Sequence, residues 1–170
     1  MVKLKYYKSL LALIVFSAGA TYAAAGMEPH FGSEGSIRNI YVDAFYGAEY
    51  EIKLAMDYFT DYSMAEALIY AAKYGREVYV IVEGDRKNPL KGIAISDHLR
   101  DAGVEVALNR TEFALFDRFA IIDESIVIIG GYPFVEEAGS SPMNDVIVIN
   151  DPDIAAMYAD HFDYIWNLAK

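Results

Sequence analysis

A single α/β domain, built on a mixed β-sheet flanked by helices, is the fold this sequence predicts, and three observations predict it. The 170 residues are enough for one ordinary core and too few for two. Hydrophobic residues make up 55% of the chain and charged ones 23%, a balance that buries enough apolar surface to fold. Beyond the first thirty-odd residues, stretches with strand periodicity alternate with stretches at helical spacing, the order that layers helices on a sheet.

The first element is an address. Lys3, Lys5 and Lys8 precede the apolar run Leu10 to Ala20 and the small residues around Ala23, Ala24 and Ala25. Basic, apolar and small-residue regions in that order predict a secretory signal peptide over 1–25, cleaved after Ala23 or Ala25. The alternative is an uncleaved membrane anchor, because Ser9 to Met27 carries no formal charge and approaches the length that spans a bilayer. Either way the body, 26–170, is expected outside the cytoplasm, touching membrane only through that segment.

In the body, Ile37, Ile40, Tyr41, Ala44, Phe45 and Ala48 fall at helical spacing, and Ile52, Leu54, Met56 and Tyr58 then alternate as a strand over Glu51 to Phe59. Asp61 and Ser63 are candidate N-caps of a second helix ending near Gly75. Val78 to Val82 reads as a buried strand, and Asp85 to Pro89 as loop. A third helix spans Ile93 to Ala102, closed by Gly103, and Val104 to Leu108 is a strand. Phe113 to Ile122 and Ser125 to Ile129 read as two strands joined by the tight Asp123-Glu124 turn. After a polar loop from Glu136 to Pro142, Val146 to Ile149 is the last strand, and Asp151-Pro152 opens a helix through Trp166.

Charge narrows the function classes. The net charge is −11, and three of the 14 basic residues lie in the N-terminal segment, leaving 11 against 25 acidic ones in the body, a formal −14. So acidic a body repels a polyanion, so strong nucleic-acid binding is not expected; the visible basic cluster is Arg86-Lys87 with Lys91. The chain has no cysteine, which excludes disulfides, thiolate metal sites and a cysteine nucleophile. His30, His98 and His161 form no His-x-x-x-His or His-x-Glu pattern, so no metal and no cofactor is expected. Asn109-Arg110-Thr111 is a glycosylation sequon, and Tyr41, Tyr58, Tyr70 and Tyr79 fall on apolar-periodic elements, as core or interface tyrosines do.

Three local patterns carry a resemblance. Asp57-Tyr58-Phe59-Thr60-Asp61 followed by Ala65-Glu66-Ala67-Leu68-Ile69 gives a strand, turn and helix. Phe119-Ala120-Ile121-Ile122-Asp123 with Val127-Ile128-Ile129-Gly130 gives a hairpin, and Val146 to Ile149, Asp151-Pro152 and His161-Phe162 with Trp166 close the domain. From about Phe31 to Ala169 this order resembles the single-motif, nuclease-like branch of the phospholipase D superfamily, which implies an αβα sandwich.

The resemblance also implies a site. Members of that branch use a His-x-Lys-x4-Asp hairpin, a Gly-Ser-x-Asn turn and a Glu before the last strand, with two copies facing each other across a homodimer. One His attacks phosphorus and the other protonates the leaving oxygen. Laid on this chain, the Asp falls on Asp123, the Lys on Arg118 and the nucleophile on Phe116. Gly130 keeps the glycine, Gly131 stands at the serine, Pro133 at the asparagine and Asn144 at the glutamate. A phenyl ring can neither attack phosphorus nor give a proton, so the motif reads as degenerate.

Arg118, Asp123 and Asn144 remain as ligand-binding candidates. Arg118 either forks onto a small anionic ligand or pairs with Asp123, Asp117 or another neighbour. Phe116 shares a strand face with Arg118 and is expected to plug the old cleft. Two functions stay open: a non-catalytic binding or assembly domain, homodimeric through the motif face, or a phosphodiesterase that works with other residues, a relocated histidine or an active paralogue.

Overall fold

The computed structural model of the chain describes residues 26–84 and 93–170. The expected signal peptide or anchor over 1–25, the loop Asp85 to Pro89 and the basic residues Arg86, Lys87 and Lys91 lie outside the described residues. Seven strands, β1 (Gly26–Phe31), β2 (Glu51–Met56), β3 (Glu77–Glu83), β4 (Glu105–Asn109), β5 (Arg118–Ile122), β6 (Ile126–Gly130) and β7 (Asp145–Asn150), form one sheet. Its order is β1-β7-β6-β5-β2-β3-β4. β2, β3 and β4 pair in parallel, and every other neighbour is antiparallel. The helices are α1 (Ile37–Gly47), α2 (Tyr62–Lys73), α3 (Ile93–Asp101) and α4 (Pro152–Ala169).

Alternation along the strands splits the interior into two layers. Ile52, Leu54, Val78, Val80, Ala120, Ile122 and Ile128 face α1, α2 and α3, where Tyr41, Phe45, Met64, Leu68 and Leu99 meet them. Ala55, Ile81, Phe119, Ile121, Val127 and Ile149 face the other way, onto Phe162 of α4. The result is the expected mixed sheet between helical layers.

The helix boundaries follow local chemistry. The Asp61 carboxylate accepts the Ser63 N–H at 2.9 Å and starts α2. Asp151 accepts from Asp153 and Ile154 at 2.9 and 3.2 Å ahead of Pro152, which starts α4. Gly75 and Gly103, at φ 88° and 94°, take the left-handed conformation that ends α2 and α3.

The structure differs from the sequence reading in four places. β1 was not visible in the sequence: it is an edge strand, mostly exposed and containing Pro29, so it carries no alternation. β2 stops at Met56 rather than Phe59, because the Asp57 carboxylate accepts the Tyr58 N–H at 2.8 Å and the chain turns. β5 begins at Arg118 rather than Phe113. Arg118 pairs with Met56, the last residue of β2, so the preceding segment has no strand beside it. Part of the expected polar loop is a short 3-10 helix, Glu136–Ser140.

Candidate functional site

The sheet register brings most of the motif positions to one edge. The end of β2, the start of β5, the end of β6 and the start of β7 lie side by side, through the pairs Met56 with Arg118, Phe119 with Ile129, and Gly130 with Val146. Phe116, Arg118, Gly130, Gly131, Pro133 and Asn144 therefore belong to that edge. Asp123 does not. It follows the other end of β5, five residues from Arg118 or about 16 Å along a strand.

Arg118 is a clamp. Its Nε and Nη2 each donate to a different oxygen of Asp57 at 2.6 Å, and its Nη1 donates to the Gly131 carbonyl at 2.6 Å. Asp57 is 8% exposed and the Arg118 side chain 29%. The partner is thus neither Asp123 nor Asp117, the neighbours expected from the sequence. The bidentate hydrogen bonds that Arg118 donates to Asp57 lead the causes that raise its pKa further. Three of the five guanidinium N–H donors are occupied and a carboxylate cancels the charge, which leaves little to attract an anion.

A second arginine repeats the arrangement. Arg38 of α1 lies 2.6 Å from the Asp61 carboxylate and donates to the Glu136 carbonyl at 2.9 Å. Each arginine links a carboxylate of segment 57–61 to a carbonyl of segment 131–136. Between them the two segments are zipped by backbone bonds: Thr60 and Asp61 N–H to the Phe134 carbonyl at 2.7 and 2.9 Å, and Phe134 N–H to the Tyr58 carbonyl at 3.1 Å. Tyr132 and Phe134 dive into the core beneath, against Tyr41, Phe45 and Phe59. Burial pushes the Tyr41 phenol well up and raises that of Tyr132, so neither offers a base there.

The remaining motif positions hold structure. Gly130 has no space for a Cβ, which would run into the Asp145 carbonyl and Val146. The Gly131 N–H donates to the Asp145 carbonyl at 3.0 Å, and the Pro133 carbonyl accepts the Val135 N–H at 2.9 Å. Asn144 donates to the Ala138 and Ser141 carbonyls at 3.2 and 3.4 Å. Asp123 is the hub of the distant turn: its carboxylate accepts the N–H groups of Glu49, Tyr50 and Glu51 at 2.8 to 3.0 Å. Asp123 and Glu124, at φ 50° and 53°, form the left-handed pair expected of a tight hairpin turn.

Within the single chain Phe116 plugs no cleft. It is 83% exposed, on the segment that precedes β5. That segment is pinned by Glu83, whose carboxylate accepts the Leu115 N–H and the Asn109 amide, both at 2.7 Å. Asn109 also donates to the Phe113 carbonyl at 2.8 Å and is 7% exposed, so the sequon is closed to modification in the folded domain. Of the histidines, His161 meets Asp117 at 3.2 Å, next to Phe116, and His98 meets Glu66 at 2.8 Å. Among the described residues no group of three His, Asp or Glu side chains could hold a metal ion, and no helix is long and apolar enough to cross a membrane. Of the four tyrosines singled out by periodicity, Tyr41 is core while Tyr58 and Tyr70 are exposed.

The chain is similar to known proteins. A mitochondrial cardiolipin hydrolase of Chlamydomonas reinhardtii is 26% identical over 111 residues, 65% of this chain and 49% of that protein. A phospholipase D of Rickettsia bellii is 30% identical over 108 residues, 62% of this chain and 54% of its own. The chain thus spans about half the length of the curated relatives it matches. Among solved structures, Nuc of Salmonella typhimurium, a phospholipase D family member, superposes with a TM-score of 0.78 at 23% identity, over 85% of this chain and 95% of Nuc. NucT of Helicobacter pylori does so with a TM-score of 0.66 at 17% identity, over 81% and 93%. These likenesses show the fold. The family described as "Cardiolipin synthase, PLD-like domain" matches residues 41–166, most of the chain, and by that match the protein belongs to the phospholipase D-like domain family.

Proposed function

We propose that this is a catalytically degenerate phospholipase D-like domain that works outside the cytoplasm by binding or assembly. The observation that carries this reading is the Arg118 clamp. The cation at the motif's lysine position is spent on Asp57 and Gly131, while the nucleophile position holds an exposed phenyl ring. Export is supported by the basic, apolar and Ala-rich order of the N-terminal sequence. Assembly as a homodimer is supported by the exposure of Phe116 at the motif edge, an apolar side chain suited to a two-fold contact.

A second reading, hydrolysis of a phosphodiester, is favoured by the relatives, which are named cardiolipin hydrolase and phospholipase D. It requires a nucleophile from elsewhere; His161, paired to Asp117 beside Phe116, is the nearest candidate. The two readings separate in one assay. Purified protein is incubated with bis-(p-nitrophenyl) phosphate, single-stranded DNA, phosphatidylcholine and cardiolipin vesicles. The degenerate reading expects no turnover above buffer, and none from Phe116→His alone, because its anion-holding partners are missing. Turnover that survives removal of contaminating nuclease and disappears in His161→Ala establishes the second reading.

A further inference from the structure

A cavity of about 200 Å³ lies on the α4 side of the sheet, lined by Glu51 and Lys53 of β2, Tyr79 of β3, and Phe162, Asp163 and Trp166 of α4. It is remote from the motif edge. Glu51 opens β2, six residues before Asp57, or about 20 Å along an extended chain. None of these side chains stands at a catalytic position of the motif, and Glu51 reaches Asp123 through its backbone N–H.

Its walls are aromatic. Trp166 stacks on Phe162 at 5.6 Å and meets Tyr79 edge-on at 5.7 Å. Its floor is ionic: Lys53 Nζ lies 3.4 Å from Glu51 and 3.7 Å from Asp163. Two carboxylates share one ammonium, so the cavity keeps a net negative charge. Glu77 stands directly across from Glu51 on β3 and accepts the Tyr79 hydroxyl at 2.9 Å, which deepens that charge. The Trp166 ring already holds one ammonium, Lys170 Nζ, 4.6 Å from its centroid. Aromatic faces flanked by carboxylates are the chemistry that recognises an ammonium group. A metal ion does not fit, because no three ligating side chains among the described residues come together. An anion would meet three carboxylates, Glu51, Asp163 and Glu77, against the two ammonium groups of Lys53 and Lys170.

We propose that this cavity binds a small organic cation, an alkyl or quaternary ammonium, seated on Trp166 with Glu51 and Asp163 as its counter-ions.

Trp166 is the sole tryptophan in the chain, so its emission reports directly on the site. The full chain is titrated with tetramethylammonium and with n-butylammonium chloride, exciting at the red edge where tyrosine does not absorb. Sodium chloride at equal ionic strength and tert-butanol, a neutral isostere, serve as controls. Saturable binding is expected for both ammonium salts and for neither control. Glu51→Gln and Asp163→Asn, each checked for fold by circular dichroism, should weaken binding about tenfold, the loss of one charge-assisted contact. Lys170→Ala should tighten it by removing the competing ammonium. A linear response matching sodium chloride, equal affinity for tert-butanol, or undiminished affinity in both carboxylate variants overturns the proposal.

Discussion

Replacing Arg118 by glutamine should cost more stability than replacing its partner Asp57 by asparagine, and the reason lies in how unequally the two are buried. Arg118→Gln strands the Asp57 carboxylate, 8% exposed, with the Tyr58 N–H as its partner among the described residues. Removing one member of a buried charge pair costs about 3–5 kcal/mol. The Arg118 side chain is 29% exposed, so water has screened part of that interaction and about 2–3 kcal/mol is the working figure. Asp57→Asn leaves a guanidinium that keeps the Gly131 carbonyl, can still donate to the amide oxygen and can turn to water; about 1–2 kcal/mol is expected. The double variant should cost less than both single losses added, with a coupling of about 1–2 kcal/mol. Urea unfolding of the four proteins gives these differences directly. A functional arm runs beside it: because Asp57 cancels the Arg118 charge, inorganic phosphate should raise the melting temperature of the parent no more than it raises that of Arg118→Gln, both gaining only the general stabilisation of an excluded salt. The reasoning is refuted if Asp57→Asn proves the costlier change, if neither exceeds about 0.5 kcal/mol, the range of ordinary surface substitutions, or if phosphate stabilises the parent and not Arg118→Gln.

Gly130→Ala should destabilise by about 2 kcal/mol or more, since its Cβ would force β6 away from the backbone of β7, whereas Gly35→Ala, with open space around it, should be near neutral; thermal melts separate them. Burial holds the Glu51 carboxyl above its usual range. Its folded state therefore binds the proton more tightly, and that contribution to stability is full below the unfolded pKa and lost as pH rises through the raised folded value. Relative to Glu51→Gln, the parent should lose stability as pH climbs from about 4.5, near the ordinary glutamate value; parallel pH profiles in urea unfolding would contradict it. If Phe116 seats a homodimer, light scattering of the purified protein should give a dimer that Phe116→Glu dissociates, and a monomeric parent removes that reading.

The sequence disclosed those parts of the fold that carry an apolar run or a helical period. The buried strands β2, β3, β5 and β6 and the amphipathic α1 and α2 carry that signal, and their caps, Asp61, Gly75, Gly103 and Asp151, act through the backbone beside them. β1 carries none, because a strand exposed on both faces has no periodicity to read. The site was legible as a set of positions and illegible as a set of contacts. Counting from Asp123 put Arg118 and Phe116 in register, yet that count runs along a strand, and residues five apart on a strand stand at opposite ends of it. Asp123 therefore organises a turn, not the edge where Arg118 lies. The residue that decides Arg118's chemistry is Asp57, 61 positions earlier, brought there by an antiparallel register that only the folded sheet defines. Its one trace in the sequence is its place at the head of Asp57-Tyr58-Phe59-Thr60-Asp61, where two carboxylates four apart flank a turn. In the folded chain each takes an arginine, Asp57 from β5 and Asp61 from α1, and each arginine reaches on to a carbonyl of segment 131–136. The segment 131–136, which holds the positions of the resemblance's Gly-Ser-x-Asn turn, is thus tied at both ends by arginines whose charges Asp57 and Asp61 already occupy.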